Sequence, residues 1–383
     1  MKNLTEIIKL RIKDGGPITF AEFMELALYH PIYGYYSSNR SNIGKEGDFY
    51  TSPYVHKAFG SVIGNFILRS FDLIDGESLS IVELGAGKGL LALDVLNHIK
   101  TKNPEQYEQT TYYIVEHNAN SKAESRKILK DHLQKIMWLS SLGELESKQV
   151  TGLVISNELF DALPFHRLKF SSGELKEILI TLKDGDLTET IDEPSTPELE
   201  EYFRKIDRDF REDQEFEISL RAEKILNEIH RVLRKGFVLT IDYGYLANEL
   251  FSLERMKGTY KCIHKHVVNE TPYINIGHQD ITAHVDFSNL VRIGAAFNLK
   301  EVKYTTQGQF LIDWGILDLI NTASEENEEL SHSSAKDIQA IKNLFLPELM
   351  GDKFKVLIQE KNLTSKAKDF YPQSPFKISF NVL

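Results

Sequence analysis

Three glycines in five positions, Gly85, Gly87 and Gly89, separate the apolar run Ile81-Val82-Glu83-Leu84 from a helical pattern that begins at residue 88. A strand that runs into alternate glycines and then straight into a helix admits few folds. Glycine tolerates the tight turn, and without a Cβ it lets another molecule come close to the backbone. The same rhythm continues downstream. YYIVE (112–116) reads as a strand, 121–134 as a helix, and IMWL (136–139) and GLVIS (152–156) as strands. Ile218, Ala222, Ile225, Ile229 and Val232 recur three or four residues apart. That spacing predicts one amphipathic helix, stopped by Gly236 ahead of the strand FVLTID. KEVKYTT (300–306) and FKVLIQEK (354–361) read as a final antiparallel pair. Strands alternating with helices imply right-handed crossovers and a doubly wound, largely parallel sheet, so the fold class is α/β.

The glycine turn fits neither of the usual phosphate cradles. A dinucleotide fingerprint would need its third glycine where Leu90 stands, and a nucleotide-triphosphate loop would need Ser or Thr after Lys88, where Gly89 stands. What remains is Glu83 two residues before the first glycine, and a second carboxylate, Glu116, at the end of the next strand. An acidic residue at that second position commonly accepts the two ribose hydroxyls of a nucleoside. Glycines, a carboxylate beside the turn and a ribose acceptor suit a nucleoside with a cationic tail and no phosphate, which describes S-adenosylmethionine. The alternatives are a plain strand–helix turn with a surface glutamate, and an NAD-dependent enzyme.

The chain has 383 residues and a formal net charge of −11. That balance argues against a broad nucleic-acid surface and mildly favours cationic partners. The single cysteine, Cys262, excludes an internal disulfide and any CxxC motif. The first residues, MKNLTEIIKLRIKDGG, read as a helix rather than a leader, and no run of about 18 apolar residues suggests a membrane span. The expected location is therefore the cytoplasm. TFAEFMELALYH opens with a Thr19–Glu22 capping box, and TSPYVHKAFGSVIGNFILRSF reads as a helix capped by Ser52 with Pro53 in its first turn. HRLKF, LKEILITL and LTETI interrupt the alternation as short antiparallel strands turning at Asp184-Gly185, followed by a helix near 197–210. The polar stretch 320–337 reads as a loop. His264, His266, His278, Asp280 and His284 fit no zinc spacing, so no metal is expected. No G-x-S-x-G elbow supports hydrolase chemistry.

GDFYTSP (47–53), ELGAGKG (83–89), NELFDALP (157–164), IDYG (241–244) and DITAHVDF (280–287) occur in this order. Together they resemble the MidA-like family of S-adenosylmethionine-dependent methyltransferases, across residues 15 to 362. The resemblance implies a Rossmann-like, seven-stranded methyltransferase sheet with an N-terminal helical region and an inserted α+β substrate-binding cap. The expected organisation is an N-terminal region over 1–79, a core split into 80–164 and 215–383, and a cap over 165–214, with a loop insertion at 250–290. Mitochondrial members are arginine methyltransferases acting in assembly of respiratory complex I, so the resemblance implies as partner a protein with an exposed arginine, such as a respiratory-chain subunit; the oligomeric state is left open, with a homodimer as one option. A non-catalytic assembly factor is the alternative. The chain departs from the family's pattern at Tyr54, Val55 and His56 after TSP, and in EHNAN, where the family reads Ser-Pro after the glutamate.

Methyl transfer is an in-line displacement whose electrophile is already activated, so alignment and exclusion of water dominate. A guanidinium stays protonated, and carboxylates can grip its planar fork and take up the released proton. Glu158 or Asp161 is expected to contact it, with Asn157 lining the donor pocket. If a turn of helix follows Asn157, Glu158 and Asp161 share a face; Asn157 would otherwise serve as the cap of that helix. Asp280 and His284 are expected in the substrate pocket. Asp48 and Thr51 would close over the cofactor, and Leu142 would flank the adenine beside Trp138, itself expected in the core. Gly85, Gly87, Gly89, Glu83 and Glu116 complete the expected cofactor set.

Overall fold

The computed structural model describes residues 3–37, 51–74, 78–325, 332–363 and 370–372. The chain divides into two compact units, each assembled from separated stretches. One gathers Met1–Tyr50, Phe160–Ile225 and Gly244–Leu290; the other gathers Thr51–Leu159, Leu226–Tyr243 and Val291–Leu383.

The second unit is built on seven strands: β1 (Leu79–Leu84), β2 (Thr110–Val115), β3 (Ile136–Leu139), β4 (Val150–Asn157), β5 (Leu233–Tyr245), β6 (Lys300–Thr306) and β7 (Phe354–Lys361). Their order across the sheet is β3-β2-β1-β4-β5-β7-β6. β1 to β5 pair in parallel, while β7 runs antiparallel to both β5 and β6. The central strands are near-continuous apolar runs, as a sheet covered on both faces requires. Helices Ala58–Ser70 and Leu90–Lys102 pack beside them, and Phe66, Phe237, Phe310 and Trp314 fill the core.

Four sequence expectations change here. Ile218 is not helical: it ends the strand Glu215–Ile218, opposite His166, and the helix starts at Arg221. Gly236 does not stop a helix but lies inside β5. A Cβ there would stand 1.8 Å from the carbonyl oxygen of Gly152 on β4, so the close strand approach demands glycine. The helix expected from Ser52 is broken, with Thr51 at the N-cap of a short turn Ser52–Val55 and a new helix from Ala58. Much of the stretch expected as a loop at 320–337 belongs to helices Ile316–Glu325 and His332–Phe345.

In the first unit, Asn3 caps the helix Leu4–Gly15, and Thr19 with Glu22 forms the expected capping box of the helix Phe20–Tyr29. Strands His166–Ser171, Glu174–Lys183 and Asp186–Asp192 form the expected antiparallel meander. Phe20 stacks on Phe165 at 5.2 Å in a core with Ile8, Phe23 and Ile180. Among the described residues no helix is long and apolar enough to cross a membrane.

Candidate active site

β1 ends at Leu84, and the chain turns through Gly85, Gly87 and Gly89, all at positive φ, into the helix Leu90–Lys102. Gly87 is the open point of the turn. Its φ is +53°, and a Cβ built there meets nothing within 4 Å. Its N–H is fixed instead, donating to Glu116 Oε2 at 2.9 Å. Glu116 follows directly on β2, and its other oxygen accepts the N–H of Asn118 at 2.7 Å. Burial raises its pKa above the ordinary carboxylate value, while these backbone bonds oppose the rise.

Glu83 lies on β1 with 4% of its surface exposed. Burial, aided by the charge of Glu116, pushes its pKa up to about 8, against the opposing hydrogen bond from Tyr112 Oη at 2.7 Å. Parallel register puts Ile81 beside Tyr112 and Glu83 beside Ile114, so Glu83 and Tyr112 share a face of the sheet. A buried carboxyl held neutral at pH 7 becomes a carboxylate when a cation arrives beside it.

β4 carries the next group. Asn157 ends the strand, and its Nδ2 donates to Glu158 Oε1 at 3.0 Å. Asn157 Oδ1 is buried and accepts no hydrogen bond among the described residues. Glu158 stands at φ +52°, a left-handed conformation that is strained for a glutamate. No helix forms over 158–165, so the expected helical turn placing Glu158 and Asp161 on one face is absent, and Asn157 caps nothing. Leu159 reaches the glycine turn: a Cβ on Gly85 would lie 3.0 Å from its Cδ1. Thr51 and Leu142 are buried in this same unit, and Leu142 opens a short turn after β3. Trp138 is half-buried, with Nε1 donating to Ser125 Oγ at 2.9 Å. Asp48 lies outside the described residues.

Asp161, Asp280 and His284 belong to the first unit. Tyr36 Oη donates to Asp280 Oδ1 at 2.8 Å, Tyr29 Oη donates to the carbonyl of Ala162 at 2.8 Å, and the N–H of Ala283 donates to the carbonyl of Asp161 at 3.0 Å. Burial raises the Tyr29 phenol well above its ordinary pKa, and the charges of Asp280 and Asp161 add to the rise. A cavity of about 40 Å³ in this unit is lined by Asp161, Glu217, His284 and Asp286, among others. Among the described residues no His, Cys, Asp or Glu side chains are grouped to hold a metal ion.

Sequence reasoning missed Tyr112, Tyr29, Tyr36 and the buried Asp242, whose Oδ2 accepts the N–H of Leu159 at 3.1 Å. Tyr112 was accessible through strand register with Glu83. The two tyrosines of the first unit lie far from Asp280 in sequence, and only the fold joins them.

The open space over Gly87, the orphaned Asn157 Oδ1 and the buried Glu83 fit a cationic nucleoside. A family model described as S-adenosyl-L-methionine-dependent methyltransferase matches residues 62–305. The mitochondrial protein arginine methyltransferase NDUFAF7 homologue of Drosophila melanogaster is 27% identical, over 97% of this chain and 87% of its own. The mitochondrial protein arginine methyltransferase NDUFAF7 of Homo sapiens is 28% identical, over 90% of this chain and 80% of its own. A Burkholderia thailandensis protein solved with S-adenosyl-homocysteine bound superposes with a TM-score of 0.84 at 25% identity, covering 94% of this chain and 92% of that one. With its glycine turn, its strand order and a family match over most of its length, this chain belongs to the S-adenosyl-L-methionine-dependent methyltransferases.

Proposed function

We propose that the chain transfers a methyl group from S-adenosylmethionine to an arginine side chain of a protein, and that the acceptor belongs to a subunit of respiratory complex I. The observation that carries this reading is Glu158, a strained acidic residue at the carboxyl end of β4, one residue before the Leu159 side chain that abuts Gly85. The names of the Drosophila and human relatives support arginine as the acceptor.

When bound, the donor supplies an electrophilic methyl on a sulfonium. Glu116 would accept the ribose hydroxyls, the glycine turn would receive the nucleoside backbone, and Glu83 would balance positive charge. Asn157 would present its buried Oδ1 to the donor. Glu158 would accept two N–H groups of the guanidinium, fix its plane and orient one nitrogen toward the methyl. The proton leaves the nitrogen as the bond forms, because the guanidinium cannot give it up beforehand at neutral pH. Glu158 then takes it, directly or through water. In the first unit, Asp161, Asp280 and His284 are assigned to the substrate, as is the insertion 165–214, whose acidic surplus suits a basic segment. Residues 165–214 carry fourteen Asp and Glu against eight Lys and Arg.

The test incubates the protein with methyl-labelled donor and a cell extract, then locates the label by mass spectrometry. Label on arginine is expected. Glu158→Gln should reduce incorporation by about 100-fold or more while S-adenosylhomocysteine binding stays within about twofold. Label on another residue type would contradict the acceptor, and full activity in the variant would contradict the role of Glu158. Donor binding without any transfer would favour an assembly factor.

A further inference from the structure

We infer that Asp242 is a positioning residue: its buried carboxylate holds Glu158 in the left-handed conformation from which the acidic side chain is presented. The inference rests on the role proposed for Glu158. Asp242 lies on β5 and is 0% exposed. Burying a carboxylate is costly and calls for a specific return. Here the return is visible in the peptide group that follows Glu158.

The ladder between β4 and β5 runs in register up to Asn157 opposite Ile241. The N–H of Glu158 still finds a backbone partner, the carbonyl of Ile241, at 2.9 Å. At Leu159 the chain has turned away from the ladder. Its N–H is met by a side chain instead, Asp242 Oδ2 at 3.1 Å. Asp242 Oδ1 is in turn fixed by the N–H of Tyr243 at 2.9 Å. The peptide before Glu158 is thus tied to Ile241 and the peptide after it to Asp242. Together they hold φ of Glu158 at +52°, a value that glutamate rarely adopts. Asn157 Nδ2 secures the far end of the same side chain. Without an acceptor at 242, the peptide after Glu158 loses its anchor, the chain turns about the N–Cα bond of Glu158 to negative φ, and its carboxylate swings out of place.

The experiment compares Asp242→Ala and Asp242→Asn, alone and with Glu158→Gln. It reads labelled methyl incorporated into extract proteins, S-adenosylhomocysteine affinity, and φ at residue 158 in crystals of the variants. Asp242→Ala should lose about 10- to 100-fold in transfer rate with donor-site affinity within about twofold, since the glycine turn is untouched. Asp242→Asn, which keeps an oxygen facing Leu159, should lose less than about fivefold. In the Glu158→Gln background, Asp242→Ala should cost nothing further, because residues that act as one unit are not additive. Equal losses in both backgrounds, or Glu158 still left-handed in Asp242→Ala, would overturn the inference. If Glu158→Gln alone leaves transfer intact, the role of Glu158 fails, and φ at residue 158 in Asp242→Ala still decides whether Asp242 holds it. Should Asp242→Ala fail to fold, pairing it with Glu158→Gly should restore folding, because glycine takes this conformation without strain. Failure of the pair would also overturn the inference.

Discussion

Glu83 in the second unit and Glu177 in the first have buried side chains of the same chemistry, yet they titrate in opposite directions. Burial pushes both pKa values upward. Against it, Glu83 has the neutral hydroxyl of Tyr112 and ends near 8. Glu177 has the His166 ring at 2.6 Å and the N–H of Ser195 at 2.6 Å, and ends below its ordinary value. The insertion therefore carries a buried carboxylate that accepts from two neighbours of its own, the His166 ring on the adjacent strand and the Ser195 N–H. Among the described residues the glycine-turn carboxyl accepts only from the hydroxyl of Tyr112, and a positively charged ligand would add a cation beside it. A protein tolerates an incompletely compensated buried acid at a site where binding completes it.

Substitutions at the turn should have the largest effect. Gly87→Val puts a branched side chain at φ +53° and into the open space, and should weaken S-adenosylhomocysteine binding about 100-fold or more by calorimetry. Undiminished affinity would end the assignment of the turn.

The two glutamates should next part company under titration. Glu83 gains its charge near its ordinary value of 4.5 when unfolded but only near 8 when folded, so the folded state holds the extra proton between those values. Its contribution to stability is favourable below about pH 4.5, declines up to about pH 8 and is flat beyond. Glu83→Gln should raise unfolding stability by roughly 2–4 kcal/mol at pH 9 and by little at pH 5. The same change should weaken S-adenosylmethionine binding by about tenfold. Glu177 has a lowered pKa, so its contribution is present above its ordinary value of 4.5 and disappears as the pH falls through its folded value. Glu177→Gln should therefore destabilise at pH 7 and approach wild type in acid. Thermal unfolding across pH 4 to 9 reads both, and shifts of the same sign in the two variants would dissolve the contrast.

A smaller effect is expected from Tyr112→Phe. It removes a neutral hydrogen bond, costs about 1 kcal/mol, and moves the Glu83 transition to higher pH. A transition that stays in place would show that Tyr112 does not restrain Glu83.

Much of the sheet was legible in the sequence because its strands alternate with helices of clear period and lie close to their expected limits. The errors at Ile218 and Gly236 share a physical cause, which is that pairing partners lie far away in the chain. Ile218 keeps helical spacing with Ala222, but its strand is fixed by His166, more than fifty residues earlier. Gly236 looks like a helix stop until Gly152 is placed against it. Glu83, Glu116 and the glycines could be read from local order alone. Asp242 could not, because its task depends on β4 ending at Asn157, so that the N–H of Leu159 two residues on meets a side chain of the neighbouring strand. The cluster of Tyr29, Tyr36, Asp161 and Asp280 likewise joins separated segments that no local pattern connects.

The most direct measurement is a crystal structure with S-adenosylhomocysteine. The nucleoside should lie over Gly87 with its ribose hydroxyls donating to Glu116. Ligand bound elsewhere, with the space over Gly87 filled by the protein's own side chains, would contradict the account.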